Sequence, residues 1–159
     1  MKKQYFFENA KLINNKFRIV PLLYGSLGLE YITNENLKAD DIDILIQEVF
    51  LKERWNEFKK FLIDEGYELF DEHEHTFQKN NILYSYASIE ELKSFVDIDS
   101  LNIEHRYENG VEFMILSLEQ YLKVYQKSLM DGYRIEVRKK NDRSKIEFIK
   151  NHINKNNHK

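Results

Sequence analysis

The sequence predicts an α+β fold: a mixed β-sheet flanked by helices, with a helical C-terminal part. Three observations carry that expectation. Apolar residues make up 42% of the 159, with ten Tyr and eleven Phe, enough for a packed core. Strand-like and helix-like stretches are mixed without the regular alternation of a doubly wound sheet. One Pro and five Gly leave little room for linkers, so residues 1–159 read as a single domain.

Residues 4–13 suggest a short helix through Phe6, Phe7, Ala10 and Ile13. Arg18 to Tyr24 reads as a strand entered through Pro21, and Ser26 as a cap for a helix over Leu27 to Thr33. Asn34-Glu35-Asn36 is a polar turn before a strand over Asp41 to Val49. Trp55, Phe58, Phe61 and Leu62 recur at helical spacing, with Gly66 where a C-cap belongs. Two strands then follow, Tyr67 to Gln78 and Ile82 to Ala87, turning at Lys79-Asn80-Asn81. Ser88-Ile89-Glu90-Glu91 reads as a capping box opening a helix over Glu90 to Phe95. Glu112 to Leu116 is a strand after Asn109-Gly110. Ser117-Leu118-Glu119-Gln120 is a second capping box, opening a helix striped by Leu118, Tyr121, Leu122, Tyr125 and Leu129. A last helix spans Arg143 to Ile153 with Ile146, Ile149 and Ile153 on one side, and residues 154–159 read as a frayed tail.

The net charge of −3 argues against a general nucleic-acid surface. The absence of cysteine removes disulfides, thiolate metal sites and cysteine nucleophiles. No apolar run approaches the ~20 residues of a membrane span, and no apolar stretch of signal-peptide length follows Met1-Lys2-Lys3-Gln4. A cytoplasmic location is the expectation.

The chemistry concentrates at Tyr24-Gly25-Ser26 and at Asp41-Ile42-Asp43-Ile44. On a strand, side chains two apart share a face about 6.6 Å from each other, so Asp41 and Asp43 aim at one point while Ile42, Ile44 and Ile46 anchor the opposite face. Gly25 lets backbone approach a phosphate closely, and Ser26 offers a hydroxyl and an amide. A helix starting there would turn its dipole toward anionic groups. The two acids match Mg2+, which takes one or two carboxylates and shares its remaining positions with water and phosphate oxygens. Asp40 points to the other strand face, and Glu30 reads as a helix surface charge.

These residues resemble the nucleotidyltransferase superfamily signature: an apolar residue, Gly-Ser, then a hydrophobic-flanked Asp-x-Asp. The superfamily includes polymerase-beta-like, antibiotic-modifying and minimal nucleotidyltransferases. The core resemblance covers residues 20–46. A looser likeness runs through Gly110 to Leu122, as Gly-Val-x-Phe-x-x-Leu-Ser-x-Glu, and into Asn141-Asp142-Arg143 before the Ile-rich helix. It implies a nucleotidyltransferase-like sheet and transfer of a nucleoside monophosphate from an NTP to a hydroxyl of a small molecule or protein. It also implies Mg2+ held by Asp41 and Asp43, with phosphate contacts from Gly25 and Ser26. The alternative is a non-catalytic member that binds a nucleotide or a partner protein, antitoxin-like. With no spare domain to hold the acceptor, a homodimer or a partner protein would supply that surface.

Catalytic members add a third carboxylate from a later strand. Its slot in strand order, Ile82 to Ala87, contains no acid. Asp97, in Phe95-Val96-Asp97-Ile98-Asp99, is the candidate taken for that role, with Asp71, Glu72 and Glu74 as further ones on the preceding strand. Lys123 and Lys127, one turn apart, reach the triphosphate if their helix face borders the cleft, and otherwise form a solvated face. His73-Glu74-His75 offers two imidazoles to a transition metal only if a third ligand exists; without one they are surface histidines. Arg134, Arg138, Lys139 and Lys140 form a small basic run.

Overall fold

A computed structural model describes residues 2–130 and 136–157, without the side chains of residues 136–142. Its elements run α1 (Lys2–Phe17), β1 (Leu22–Tyr24), α2 (Gly25–Thr33), β2 (Ile42–Ile46), α3 (Trp55–Asp64), β3 (Glu68–Asp71), β4 (Thr76–Lys79), β5 (Ile82–Ser88) and α4 (Glu91–Val96), then β6 (Glu104–Glu108), β7 (Val111–Ile115), α5 (Leu118–Met130) and α6 (Glu136–Asn157). The seven strands form one mixed sheet in the order β3-β4-β5-β2-β1-β7-β6. β2/β5 and β1/β7 are parallel; the other neighbours are antiparallel. The expected α+β class is the one observed. Among the described residues no helix is long and apolar enough to cross a membrane.

Alternation along the central strands divides the molecule into two cores. Leu23, Ile42, Ile44, Ile46, Tyr84 and Tyr86 turn to one face, against Phe6, Ala10 and Ile13 of α1 and Phe58 and Leu62 of α3. Leu22, Leu45 and Met114 turn to the other, against α4, α5 and α6, where Leu92, Tyr121, Tyr125, Ile146 and Ile149 are buried. Ile42, Ile44 and Ile46 are fully buried. Each such side chain contributes about 1.5–3 kcal/mol through burial, and together they fix which way Asp43 points.

Several boundaries differ from the sequence expectation for identifiable reasons. β1 is short because Arg18 takes a left-handed φ of 57° at the end of α1. Pro21, with no N–H, joins the sheet through its carbonyl, which accepts from the Met114 amide at 2.8 Å. Asn14 then clamps α1 to the sheet: its amide nitrogen donates to the Ile19 and Glu112 carbonyls, and its oxygen accepts from the Glu112 amide. The expected strand to Val49 ends at Ile46, and a 3-10 turn covers Glu48–Leu51. Tyr67 to Gln78 is two strands around a tight turn closed by His75 at φ 52°. β6 has no counterpart in the expectation. Its Glu-His-Arg-Tyr-Glu composition is that of a charged edge strand, and the left-handed Asn109 and Gly110 turn it into β7.

Of the two capping boxes, Ser117–Gln120 forms as expected: the Ser117 amide donates to Gln120 Oε1 at 2.9 Å and the Gln120 amide to Ser117 Oγ at 3.1 Å. At Ser88–Glu91 the Glu90 carboxylate instead accepts from the Glu48 amide, capping a turn distant in sequence. Glu30 is more than a surface charge, since its carboxylate accepts from the Leu37 amide at 3.1 Å. The last helix is longer than expected and includes residues 154–157; residues 158 and 159 lie outside the described residues.

α2 packs where it does because Gly28 has no side chain. A Cβ there would stand 2.0 Å from Tyr121 Oη and 2.5 Å from the Leu23 carbonyl oxygen, two atoms joined by a hydrogen bond. Gly28→Ala is therefore expected to destabilise the fold by about 3 kcal/mol, since both helix and backbone must shift. Urea denaturation followed by circular dichroism measures this; an unchanged midpoint would contradict the packing.

Candidate functional site

The site is assembled at the C-terminal end of β1. The chain leaves Tyr24 and enters α2 at Gly25, whose φ of 63° lies in the left-handed region. The antiparallel register puts Tyr24 directly opposite Asp43 on β2. A Cβ on Gly25 would lie 2.4 Å from Asp43 Oδ2, so glycine is required twice over, by its dihedral and by the carboxylate against it. α2 starts at Gly25 rather than after Ser26. Its N-cap is Tyr24, which makes no side-chain capping bond, so Ser26 belongs to the first turn. The first-turn amides have no intrahelical acceptor and gather positive potential beside Asp43.

Asp41 lies in the bend just before β2 and is exposed; Asp43 is half-buried within the strand. Burial raises the Asp43 carboxyl above its usual range, the Asp41 charge raises it further, and Lys145 draws it back down. Asp41 is raised by desolvation and by Asp40, and lowered by Lys2. Desolvation is the first cause of both shifts, with Asp40 adding to the one at Asp41 and Asp41 to the one at Asp43.

Lys145 is the residue that sequence reasoning missed. It reaches over from α6, donating from Nζ to Ser26 Oγ at 2.9 Å across 119 positions of sequence. Its ammonium also sits 5.2 Å from the centroid of the Tyr125 ring. Tyr24, Tyr121 and Tyr125 form a near-parallel ladder, with interplanar angles of 20° and 17°, linking the Asp43 strand pair to the ring beneath Lys145. One signal was available: Lys145 flanks Ile146 at the edge of the apolar stripe of the last helix.

The other expected site residues lie elsewhere. Asp97 is not in a strand but caps the end of α4 with φ 56°, and its exposed carboxylate pairs with Lys93 Nζ at 2.6 Å. That pairing holds it below the usual carboxylate range. Asp99 accepts from the Leu101 amide at 3.0 Å, so the second Asp-Ile-Asp is used in local capping. Lys123 and Lys127 are exposed, away from the buried stripe of α5. Arg134 lies outside the described residues, as do the side chains of Arg138, Lys139 and Lys140.

β5 does run parallel beside β2, and the residue opposite Asp43 is Ser85. Its hydroxyl is bonded to Thr76 Oγ1 at 2.9 Å. His73 is exposed and His75 packs edge-on to Trp55 with ring centroids 4.6 Å apart. Among the described residues no group of three or more His, Asp or Glu side chains is arranged to hold a metal.

A cleft of about 430 Å³ lies over the sheet from Asp43 toward the ends of β2 and β5, lined by Tyr24, Asp43, Ser85, Ser88, Glu48 and Glu74 among others. A larger hollow of about 530 Å³, between the start of α1, α2 and the 34–40 loop, touches Asp40 but neither Asp41 nor Asp43. Of the two, the smaller cleft is the one lined by Asp43, and Asp41 lines neither.

No family model matches the chain, and no solved structure matches it. It is similar to the uncharacterized protein YnaI of Bacillus subtilis (strain 168), with 43% identity over 144 residues, 91% of this chain and 92% of that protein.

Because both carboxyls are raised on folding, the native state binds more protons than the unfolded chain between their ordinary and raised values. Without metal, the contribution of these two groups to stability rises as pH falls through that window and is lowest above it, opposite in sign to that of Asp97. Asp43→Asn is accordingly expected to raise the metal-free melting temperature at neutral pH by a few degrees, measurable by differential scanning calorimetry.

Proposed function

The chain belongs to the same family as YnaI of Bacillus subtilis, and we propose that it is a Mg2+-dependent nucleotidyltransferase of nucleotidyltransferase-like fold. It moves a nucleoside monophosphate from an NTP to a hydroxyl of a small molecule or protein. The observation that carries this reading is the contact of Gly25 with the Asp43 carboxylate at the start of α2. An acid suited to a cation thereby stands beside first-turn amides suited to phosphate, across the β1–β2 pair.

In this reading Asp41 and Asp43 hold Mg2+, whose charge would offset the burial and the neighbouring acids that raise both carboxyls. Bound there, Mg2+ supplies charge neutralisation for the phosphates and for the pyrophosphate that leaves. The Gly25 and Ser26 amides receive phosphate oxygens. Lys145, poised on the Ser26 hydroxyl, adds a point charge to the same oxygens. The acceptor hydroxyl enters through the cleft beside Ser85. The reading includes a cytoplasmic setting and a homodimer or partner protein completing the acceptor surface.

A second reading, nucleotide binding without transfer, is favoured by one observation: Ser85 stands opposite Asp43 where a third carboxylate would serve catalysis. Incubation with α-labelled NTPs and Mg2+ separates the two. Label transferred to protein or pooled small molecules, and lost in Asp43→Asn, supports the enzyme. Nucleotide binding without transfer supports the second reading, and no Mg2+-dependent binding overturns both.

Ligation adds RT ln(1 + [L]/Kd) to stability, about 2.7 kcal/mol at 100-fold saturation. Mg2+ with ATP is expected to raise the melting temperature of the wild-type chain and to leave that of Gly25→Ala unchanged, because the added methyl collides with the Asp43 carboxylate. Thermal denaturation with and without both ligands is the check.

A further inference from the structure

We propose that β6 pairs antiparallel with β6 of a second copy of this chain, joining the two sheets into one. The inference stands apart from the transferase reading. β6 is the last strand of the sheet, three places from β2, so a copy docked there leaves both Asp43 clefts open.

The edge is prepared for pairing. Asn109 and Gly110, both left-handed, form a two-residue turn that makes Glu108 and Val111 a hydrogen-bonded pair. Glu104, Arg106 and Glu108 therefore turn their backbone groups to β7, while His105 and Tyr107 turn theirs outward. The side chains are already ordered. Glu112 of β7 accepts from Tyr107 Oη at 2.8 Å and stands 3.2 Å from His105 Nδ1, which fixes both on one face. On the other face Arg106 pairs with Glu104 and lies 5.5 Å from the centroid of the Tyr31 ring, whose hydroxyl donates to Glu108. Little side-chain freedom is left to lose on association. Tyr107 is nevertheless 78% exposed, and Leu101, in the turn before the strand, 90%.

Charge selects the second copy as the occupant and fixes one register. A two-fold axis perpendicular to the joined sheet keeps each face continuous, so the axis passes at His105, Arg106 or Tyr107. At Arg106 it sets Glu104 against Glu108 and Arg106 against itself, which like charges oppose. At Tyr107 it meets the left-handed Asn109 two residues away, and the ladder stops. At His105 it sets Glu104 against Arg106 of the second copy, twice, closing a ring of four alternating charges. Ile103, whose amide donates to the Ser100 carbonyl, is extended with φ −101° and ψ 136°, so this ladder runs one residue beyond β6 and brings Tyr107 of the second copy opposite it. The charges that deter unselective edge pairing thus match each other in this register alone.

The chain has no cysteine, so His105→Cys carries a single thiol. Hydrogen-bonded antiparallel partners lie about 5.5 Å apart at Cα, within disulfide reach. Under mild oxidation His105→Cys is expected to form a covalent dimer on a non-reducing gel, and the more exposed Tyr107→Cys to form none. Sedimentation equilibrium up to about 1 mM, a range suited to an interface at the small end of specific sizes, is expected to show a wild-type dimer. Arg106→Glu weakens it by about tenfold or more, and Glu104→Arg with Arg106→Glu restores it. A wild type that stays monomeric throughout overturns the pairing, as does a dimer indifferent to Arg106→Glu. Equal crosslinking at Tyr107→Cys, or a natively folded charge swap that does not restore the dimer, overturns the register.

Discussion

The contact between Gly25 and Asp43 is the constraint on which the rest of this molecule depends. β1 and β2 are antiparallel neighbours, so the turn leaving one strand must pass the side chain projecting from the other. A carboxylate stands at that crossing, and only a residue without Cβ, in a left-handed conformation, can share the space. Where α2 starts, which way its first amides point and how deeply Asp43 is buried all follow from that single fit.

Around it the protein divides its labour by sheet face. One face is packed with aromatic and β-branched side chains against α1 and α3 and contains no part of the candidate site beyond its anchor, the Ile42, Ile44 and Ile46 row. The other face places Tyr24, Asp43 and Ser85 in one row and covers part of it with α5 and α6. The Tyr121 hydroxyl, passing over Gly28 to the Leu23 carbonyl, locks α5 to the strand that leads into the site. Rigid packing on one side thus holds an electrostatically uneasy pair of acids on the other.

Much of the architecture was legible because it is local. Alternation around Asp41–Ile46, the Ser117–Gln120 capping box and the apolar stripes of α5 and α6 each depend on neighbours within a few residues. What escaped was set by distant partners. Glu90 looked like half of its own helix's cap, but the Glu48 amide claimed it. Asp97 sits in the same Asp-Ile-Asp pattern as Asp43, yet without an apolar strand around it the pattern became a helix end paired to Lys93. β6 was invisible because an edge strand facing solvent needs no apolar alternation. Lys123 and Lys127 were read from helical spacing alone, whereas the cation at the site came from another helix, through tertiary packing that no local pattern encodes.

The reach of Lys145 to Ser26 also has a temporal meaning. The strand pair, its glycine and both acids are made before the lysine that tempers Asp43, which arrives about a hundred residues later with α6. Domains complete their packing only as the chain emerges. A nascent chain therefore carries the acids before their countercharge, and the two halves of the site meet only when α6 has cleared the ribosome. Synthesis itself becomes the clock that withholds the Lys145–Ser26 contact until α6 has been made.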